Sequence, residues 1–353
     1  MKKIMKSGWA AALTVLTAIT LVGCGGGSDK PAATTYSSLV SFGDSLSDVG
    51  TYKVGAVAQL GGGKYTVNSD TDKNWTELLA AQLGLPAPCA AQTGLNGTVF
   101  SAATVNHATC FNYAQGGARV TNPVGPGNSL LGGDNALLGQ LTVPVLTQIM
   151  NHLNKVGGSF SGTELVTVMA GGNDAFMNLG AVAQGAASPA QAITAMGVAG
   201  AELAGYIKTQ ITAKGAKKVV VLNVPDIKDT PFGQSQNAQT QGLIDLMVTT
   251  FNDQLKSGLA GTSGILLIDA YSASKDEVAN PATYGLSNVT GTACMLNNPQ
   301  ANPLNSSLVC NSRNVVPGDI SHYLFADTVH PSPYGYQLIS QLVFKELVLA
   351  KWY

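Results

Sequence analysis

Ser41-Phe42-Gly43-Asp44-Ser45-Leu46-Ser47-Asp48-Val49-Gly50, entered from the apolar pair Leu39 and Val40, is the stretch on which the rest of the chain turns. An extended segment running into a Gly-Asp-Ser corner holds one hydroxyl, that of Ser45, at the carboxyl edge of a sheet. Ligands of open α/β sheets bind at that edge. By itself the decapeptide also fits an ordinary strand-to-loop turn, because Gly, Asp and Ser dominate turns for backbone reasons. Three distant stretches decide between the two.

Outward from the corner, residues 74–84 read as a helix. Asn74 suits its cap with Glu77 three residues on, Trp75, Leu78, Leu79 and Leu83 share one face, and Gly84 suits the stop. Trp75 is therefore expected in the core. Residues 85–110, rich in Pro, Gly, Asn and Thr, read as loop. Asn112-Tyr113-Ala114-Gln115-Gly116-Gly117-Ala118 follows, where paired glycines allow positive φ and close backbone approach to a ligand. Residues 121–134 read as another loop.

Residues 142–144 open a helix predicted to turn Leu146, Ile149, Met150 and Leu153 inward, with His152 at its surface. Leu165 to Met169 reads as a buried strand that runs into Ala170-Gly171-Gly172-Asn173-Asp174. Ser188 and Pro189 start a helix lined by Met196, Leu203, Ile207 and Ile211. Val219-Val220-Val221-Leu222 suits a central parallel strand, and Asn223-Val224-Pro225-Asp226 is the turn after it. A helix carrying Leu243, Met247, Phe251 and Leu255 precedes the strand Ile265-Leu266-Leu267-Ile268. Residues 271–320 read as a long irregular insertion, and Ser332-Pro333 starts a last helix running to about Leu349. Strands alternating with helices predict a parallel sheet covered on both faces. No internal linker or repeat breaks the chain, so one domain, 37–353, is expected.

Lys2, Lys3 and Lys6 precede an uncharged run from Trp9 to Gly23. That run is short of the roughly 20 apolar residues a spanning helix needs and fits a secretory signal at 1–23. Leu21-Val22-Gly23-Cys24 resembles the lipobox of bacterial lipoproteins. The resemblance implies cleavage before Cys24, acylation of that cysteine and, with glycine next to it, outer-membrane sorting. Simple secretion is the alternative. Residues 24–36, beginning Cys24-Gly25-Gly26-Gly27-Ser28, read as a flexible tether. An exported chain meets an oxidising compartment, so Cys89, Cys110, Cys294 and Cys310 are expected to pair. Of three possible connectivities, the sequence neighbours Cys89–Cys110 and Cys294–Cys310 are favoured, each contributing about 3 kcal/mol in the chain-entropy account. Charged residues make up 11% of the chain and the net charge is −1, which offers no electrostatic case for nucleic acid.

Asp327-Thr328-Val329-His330-Pro331 supplies a base. An imidazole needs a carboxylate or carbonyl on Nδ1 to leave Nε2 free, and a loop carboxylate three residues earlier reaches it. In isolation the same pattern is a capped helix start. The other histidines fit less well: His107 lies in a loop, His152 in a helix, and His322 has Asp319 and Asp327 in a different register. Acyl transfer also needs donors aimed at a developing oxyanion. The amides of Ser45 and Gly117 and the side chain of Asn173 are candidates, although each is also a common turn residue.

Gly43-Asp44-Ser45-Leu46, Gly117 in its Asn-Tyr-Ala-Gln-Gly-Gly-Ala context, Gly171-Gly172-Asn173-Asp174 and Asp327-x-x-His330 together resemble the four blocks of the GDSL or SGNH hydrolases, in order. The resemblance extends from about Leu39 to the last helix and is nearest the bacterial lipase and acyltransferase branch. It implies a flavodoxin-like, three-layer α/β/α sandwich around a parallel sheet. It also implies Ser45 as nucleophile, His330 as base, Asp327 as its orienter, and Ser45, Gly117 and Asn173 as the oxyanion hole. Asp44 and Asp48 match family positions without a catalytic role and are read as turn-formers.

The expectation is thus a serine esterase or lipase taking a small-molecule or lipid ester, with no cofactor and no metal. It would be attached to the envelope through a lipid anchor, periplasmic or surface-exposed, and monomeric. Acyl transfer to an alcohol, sugar O-acetyl ester hydrolysis and a non-enzymatic surface lipoprotein stay open as alternatives. The Gly-x-Ser-x-Gly elbow of α/β-hydrolases is absent, since Ser47 stands at its second glycine. Walker A, Gly-x-Gly-x-x-Gly and His-Glu-x-x-His patterns are absent too.

Overall fold

The structure, a computed structural model, describes residues 35–353. The predicted leader, Cys24 and all of the predicted tether before Thr35 lie outside the described residues. The chain begins with β1 (Leu39–Gly43), α1 (Gly55–Gln59), α2 (Trp75–Gln82), β2 (Gln92–Asn96) and β3 (Ser101–Asn106). Then come α3 (Gly133–Leu138), α4 (Val145–Lys155), β4 (Leu165–Met169), α5 (Gly172–Ala183), α6 (Pro189–Tyr206) and β5 (Lys218–Leu222). It closes with α7 (Pro231–Gln234), α8 (Ala238–Leu259), β6 (Ile265–Ile268), α9 (Ala270–Ala279), β7 (Asn288–Thr292), β8 (Tyr323–Phe325) and α10 (Pro333–Leu349).

The central sheet is parallel, in the order β1-β4-β5-β6. Beyond β1, the Ser41 N–H donates to the Phe111 carbonyl (3.1 Å) and the Tyr113 N–H donates to the Ser41 carbonyl (2.8 Å). Residues 111–113 thus run parallel beside β1 as a rudimentary fifth strand. The chain goes from β1 outward to one side, then returns past β1 to build β4, β5 and β6 on the other. The order therefore reverses at β1, and ligands bind at such a switch point.

Side chains alternate across each strand, and both sets are buried in β1, β4 and nearly all of β5. Val40, Phe42, Val166, Val168, Val219 and Val221 meet α4, α6 and α8 on one face. Leu39, Leu165, Met169, Val220 and Leu222 meet α2 and α10 on the other, with Trp75 wholly buried among them. This is the predicted three-layer α/β/α sandwich. The capping box at Asn74 and Glu77 forms as expected, and so do the disulfides Cys89–Cys110 and Cys294–Cys310, with Cα separations of 5.0 and 5.8 Å.

Several expectations need correction. The predicted loop at 85–110 contains the antiparallel hairpin of β2 and β3. Its second strand is almost wholly solvent-facing, so no apolar alternation marks it in the sequence. The insertion at 271–320 is not irregular throughout: α9 fills its start, and β7 pairs with β8. Met150 faces solvent rather than the core.

His152, expected at the surface of α4, is only 2% exposed. Its ring packs against Phe42, Phe111, Tyr113 and Phe160 at centroid distances of 5.7, 6.0, 5.4 and 4.6 Å. Nδ1 lies 3.2 Å from the Tyr113 hydroxyl, while Nε2 has no partner among the described residues. Burial, only partly opposed by Glu164 and reinforced by Lys155, pushes its pKa down to about 4. The unfolded chain, near 6.5, takes up the proton first on acidification. The stabilisation is therefore complete above about pH 6.5 and is lost as pH falls toward about 4, at most roughly 3 kcal/mol. Urea unfolding of the wild type and His152→Phe across that window should show their stability difference shifting against the wild type by up to this amount. A pH-independent difference would refute the assignment.

Candidate active site

The corner after β1 is built by its acids. The Asp44 carboxylate accepts the Leu46 N–H (3.1 Å). One Asp48 oxygen accepts the Gly50 and Thr51 N–H groups (2.9 and 2.8 Å), and the other accepts the Gly116 N–H (2.9 Å). Both acids are the predicted turn-formers. Asp48 does more, because it ties the corner to the glycine pair. Burial pushes Asp44 up to about 7 and Asp48 up to about 6. Underneath, Gln148 of α4 clamps β1 from the side. Its Nε2 donates to the Gly43 carbonyl (2.8 Å) and its Oε1 accepts the Gly43 N–H (2.9 Å). Gly43 itself leaves no room for a side chain, since a Cβ would lie 2.2 Å from the Met169 carbonyl oxygen of β4.

Ser45 stands on this corner, 7% exposed. Its hydroxyl donates to His330 Nε2 at 2.8 Å. His330 Nδ1–H donates to Asp327, 2.9 Å from Oδ1 and 2.8 Å from Oδ2. This tautomer is assigned from the network, as only it gives the carboxylate a donor and leaves Nε2 to accept. The imidazole is also stacked against Tyr65, with ring centroids 4.6 Å apart.

Asp327 is 4% exposed, and burial alone would raise its pKa. His330, with hydrogen bonding from Ser307 and from the Val329 N–H, outweighs burial and holds the carboxyl well below the usual carboxylate range. The Ser307 N–H reaches Oδ2 (3.0 Å), and the N–H groups of Val329 and His330 reach Oδ1 (2.9 and 2.8 Å). Ser307 lies three residues before Cys310, so the Cys294–Cys310 bridge fixes the segment that supplies this donor.

Two arms flank the corner. On one side, residues 112–118 leave the rudimentary strand, and the Gln115 N–H donates to the Gly43 carbonyl (3.1 Å). Gly117 takes φ +77°, and a Cβ there would lie 2.2 Å from the Pro126 carbonyl oxygen. Gly116, its partner in the predicted pair, does not adopt positive φ. On the other side, β4 runs into α5, and Asn173 Nδ2 donates one hydrogen to the Ala118 carbonyl (2.8 Å). Asp174 then locks the two arms together, accepting from Arg119 Nε (2.9 Å) and the Val120 N–H (3.0 Å). Among the described residues, the Ser45 and Gly117 N–H groups donate to no protein acceptor. With the second Asn173 amide hydrogen, they remain free for a ligand oxygen.

A cavity of about 360 Å³ opens at Ser45, Asn173 and His330 and is walled mainly by apolar side chains, among them Leu46, Phe176, Val224, Ile227 and Phe232. Every predicted site residue among those described therefore falls at one sheet edge or on the loops that brace it. Of the predicted alternatives, His322 stands apart on the solvent side beside Tyr334. Sequence reasoning missed Gln148, Tyr65 and Ser307, which support the site without belonging to any motif.

A sequence model of the family described as GDSL-like lipase/acylhydrolase matches residues 39–343. A GDSL esterase/lipase of Arabidopsis thaliana is 25% identical over 78% of this chain and 73% of its own length. Esterase EstA of Pseudomonas aeruginosa is 28% identical over 97% of this chain and 51% of its own. An uncharacterised Pseudomonas putida protein from the trpE–trpG intergenic region is 26% identical over 91% of this chain and 50% of its own. The chain thus spans about half the length of these two bacterial relatives.

Proposed function

Because the chain belongs to the GDSL-like lipase/acylhydrolase family, we propose that it is a serine hydrolase of carboxylic esters, with Ser45 as nucleophile. The observation that carries this is the continuous Ser45–His330–Asp327 hydrogen-bond chain at the mouth of an apolar cavity. His330 Nε2 takes the Ser45 proton as Oγ attacks the ester carbonyl, and Asp327 stabilises the imidazolium that forms. The oxyanion is received by the Ser45 and Gly117 amides and Asn173, each such donor typically contributing about 2.7–4 kcal/mol. His330 returns its proton to the leaving alcohol, then activates the water that releases the acid. The apolar cavity supports a lipid or other acyl ester as substrate. Export and anchoring through an acylated Cys24, toward the outer membrane, form part of the same reading, and the two disulfides support an oxidising compartment.

A fluorophosphonate tests the nucleophile directly. Ser45 should be modified at one equivalent per chain, with parallel loss of ester hydrolysis, and the peptide containing Ser45 should carry the added mass. Hydrolysis that continues at full rate with Ser45 unlabelled would overturn the proposal. Product analysis with added alcohol separates water from an alcohol as the acyl acceptor.

A further inference from the structure

The cavity follows the carboxyl edge of the sheet away from Ser45. Its wall is formed in turn by Asn173 after β4, Val224 and Ile227 after β5, and Ala273 and Glu277 on α9 after β6. Neighbouring strands lie ~4.8 Å apart, so the path from β1 to β6 covers roughly 14 Å. Glu277 stands on the part of this mainly apolar wall farthest along the sheet edge from Ser45. It is 8% exposed, and among the described residues its carboxyl takes part in no hydrogen bond or ion pair.

Two polar neighbours on this wall, Ser274 and Asp226, are engaged locally, the first fully and the second at one oxygen. Ser274 accepts the Asp226 N–H and donates to the Tyr271 carbonyl. Asp226 accepts the Lys228 N–H through Oδ1, while its Oδ2 is buried with no hydrogen-bond partner among the described residues and its carboxyl is pushed up by burial and by Asp229. Burial, then the neighbouring charge of Asp276, pushes Glu277 up to about 7. Near neutrality it therefore presents an O–H donor as well as acceptor oxygens.

Buried polar groups in native proteins are almost always hydrogen-bonded, and each exception calls for a cause. With the cavity open, water can serve Glu277. A plain alkyl chain filling the cavity would expel that water and leave the carboxyl bare, which a substrate with a matching polar group avoids. The acyl group stays on Ser45 while the alcohol departs and water enters, so the stretch of cavity leading away from Ser45 along the sheet edge suits the acyl part. We propose that Glu277 is a specificity residue that hydrogen-bonds a hydroxyl on the distal part of the acyl chain, so that hydroxylated acyl esters are preferred over plain alkanoyl esters. This rests on the reading of Ser45 as the nucleophile at this cavity.

The test compares kcat/KM for p-nitrophenyl ω-hydroxyalkanoates, from butanoate to dodecanoate, each against its unsubstituted twin. At the chain length that reaches Glu277, the wild type should prefer the hydroxylated ester by about tenfold or more, since sites built to bond a hydroxyl discriminate strongly against its loss. Glu277→Leu and Glu277→Met should each reverse the preference, mainly by speeding the plain ester. Glu277→Gln, which keeps a donor and an acceptor, should retain it. p-Nitrophenyl acetate is too short to reach α9 and should be hydrolysed equally by all four proteins, which also reports that the variants are folded. No hydroxyl preference at any length, or one that survives both apolar variants, overturns the assignment of Glu277. Undiminished acetate hydrolysis in Ser45→Ala would overturn the underlying reading instead.

Discussion

Ser45→Ala should lower kcat for ester hydrolysis by about 10⁴-fold or more and leave the thermal unfolding midpoint within a degree or two of the wild type, as expected when one member of a serine triad is removed. The two halves of that expectation have separate physical grounds. The Ser45 hydroxyl donates to His330 Nε2 alone, so its loss removes the reacting atom and one hydrogen bond. The corner itself is held by other groups: Asp44 on the Leu46 N–H, Asp48 on Gly50, Thr51 and Gly116, and Gln148 on both backbone groups of Gly43. None of these uses the serine side chain. Substrate binding should survive, because the cavity wall and the oxyanion donors remain, and the variant should bind a non-hydrolysed ester with near wild-type affinity. His330→Ala should cost a similar factor. The double variant should be hardly worse than either alone, since the two groups act in one step. A Ser45→Ala enzyme that keeps even a tenth of wild-type turnover would place the nucleophile elsewhere.

The parts of the molecule that could be read from sequence share a physical property. Where backbone requirement and chemistry coincide, a short motif marks the place. Gly43 admits no Cβ beside Met169, Asp44 and Asp48 pin N–H groups, and Asn173 opens α5, so the corner and its neighbours are marked by residue type alone. The buried strands are legible for a related reason, because Val219 to Leu222 face helices on both sides and must be apolar throughout. Legibility fails where the burying partner is remote in sequence. His152 looks like a polar residue on a helix until Phe42, Phe111 and Phe160 close round it. β3 has no buried face, so a strand made largely of small and polar residues with no apolar alternation reads as loop. Tyr65, Gln148 and Ser307 brace the site through contacts set by tertiary packing. Glu277 is the extreme case, since nothing in Ala270–Ala279 distinguishes it from the surface acid Asp276 beside it.

Asp327→Asn should lower kcat by about 10⁴-fold with little change in KM, the loss expected when a triad carboxylate is replaced by its amide. The cause lies in proton placement. Asp327 now accepts at both oxygens: the Ser307 N–H and His330 Nδ1–H meet Oδ2, while the N–H groups of Val329 and His330 meet Oδ1. An asparagine can accept at only one of those positions. If its oxygen stays with the Val329 and His330 N–H groups, its NH₂ is turned toward His330 Nδ1 and the Ser307 N–H. Nδ1 must then accept, the ring proton moves to Nε2, and the nitrogen facing Ser45 can no longer take its proton. The same NH₂ meets the Ser307 donor head on, so one buried N–H loses its acceptor. That second effect predicts a stability loss of about 1–3 kcal/mol, which separates this variant from Ser45→Ala. The carboxyl is held far below the usual range by His330, Ser307 and Val329 against the cost of burial. Sign follows: a depressed acid stabilises the fold above its ordinary value near 3.9 and surrenders that contribution only in stronger acid. Wild type should therefore lose stability relative to Asp327→Asn as pH falls below about 4, and the two unfolding curves should converge there. Wild-type kcat in Asp327→Asn, measured near neutral pH on a folded protein, would remove Asp327 from the mechanism and leave His330 oriented by something else.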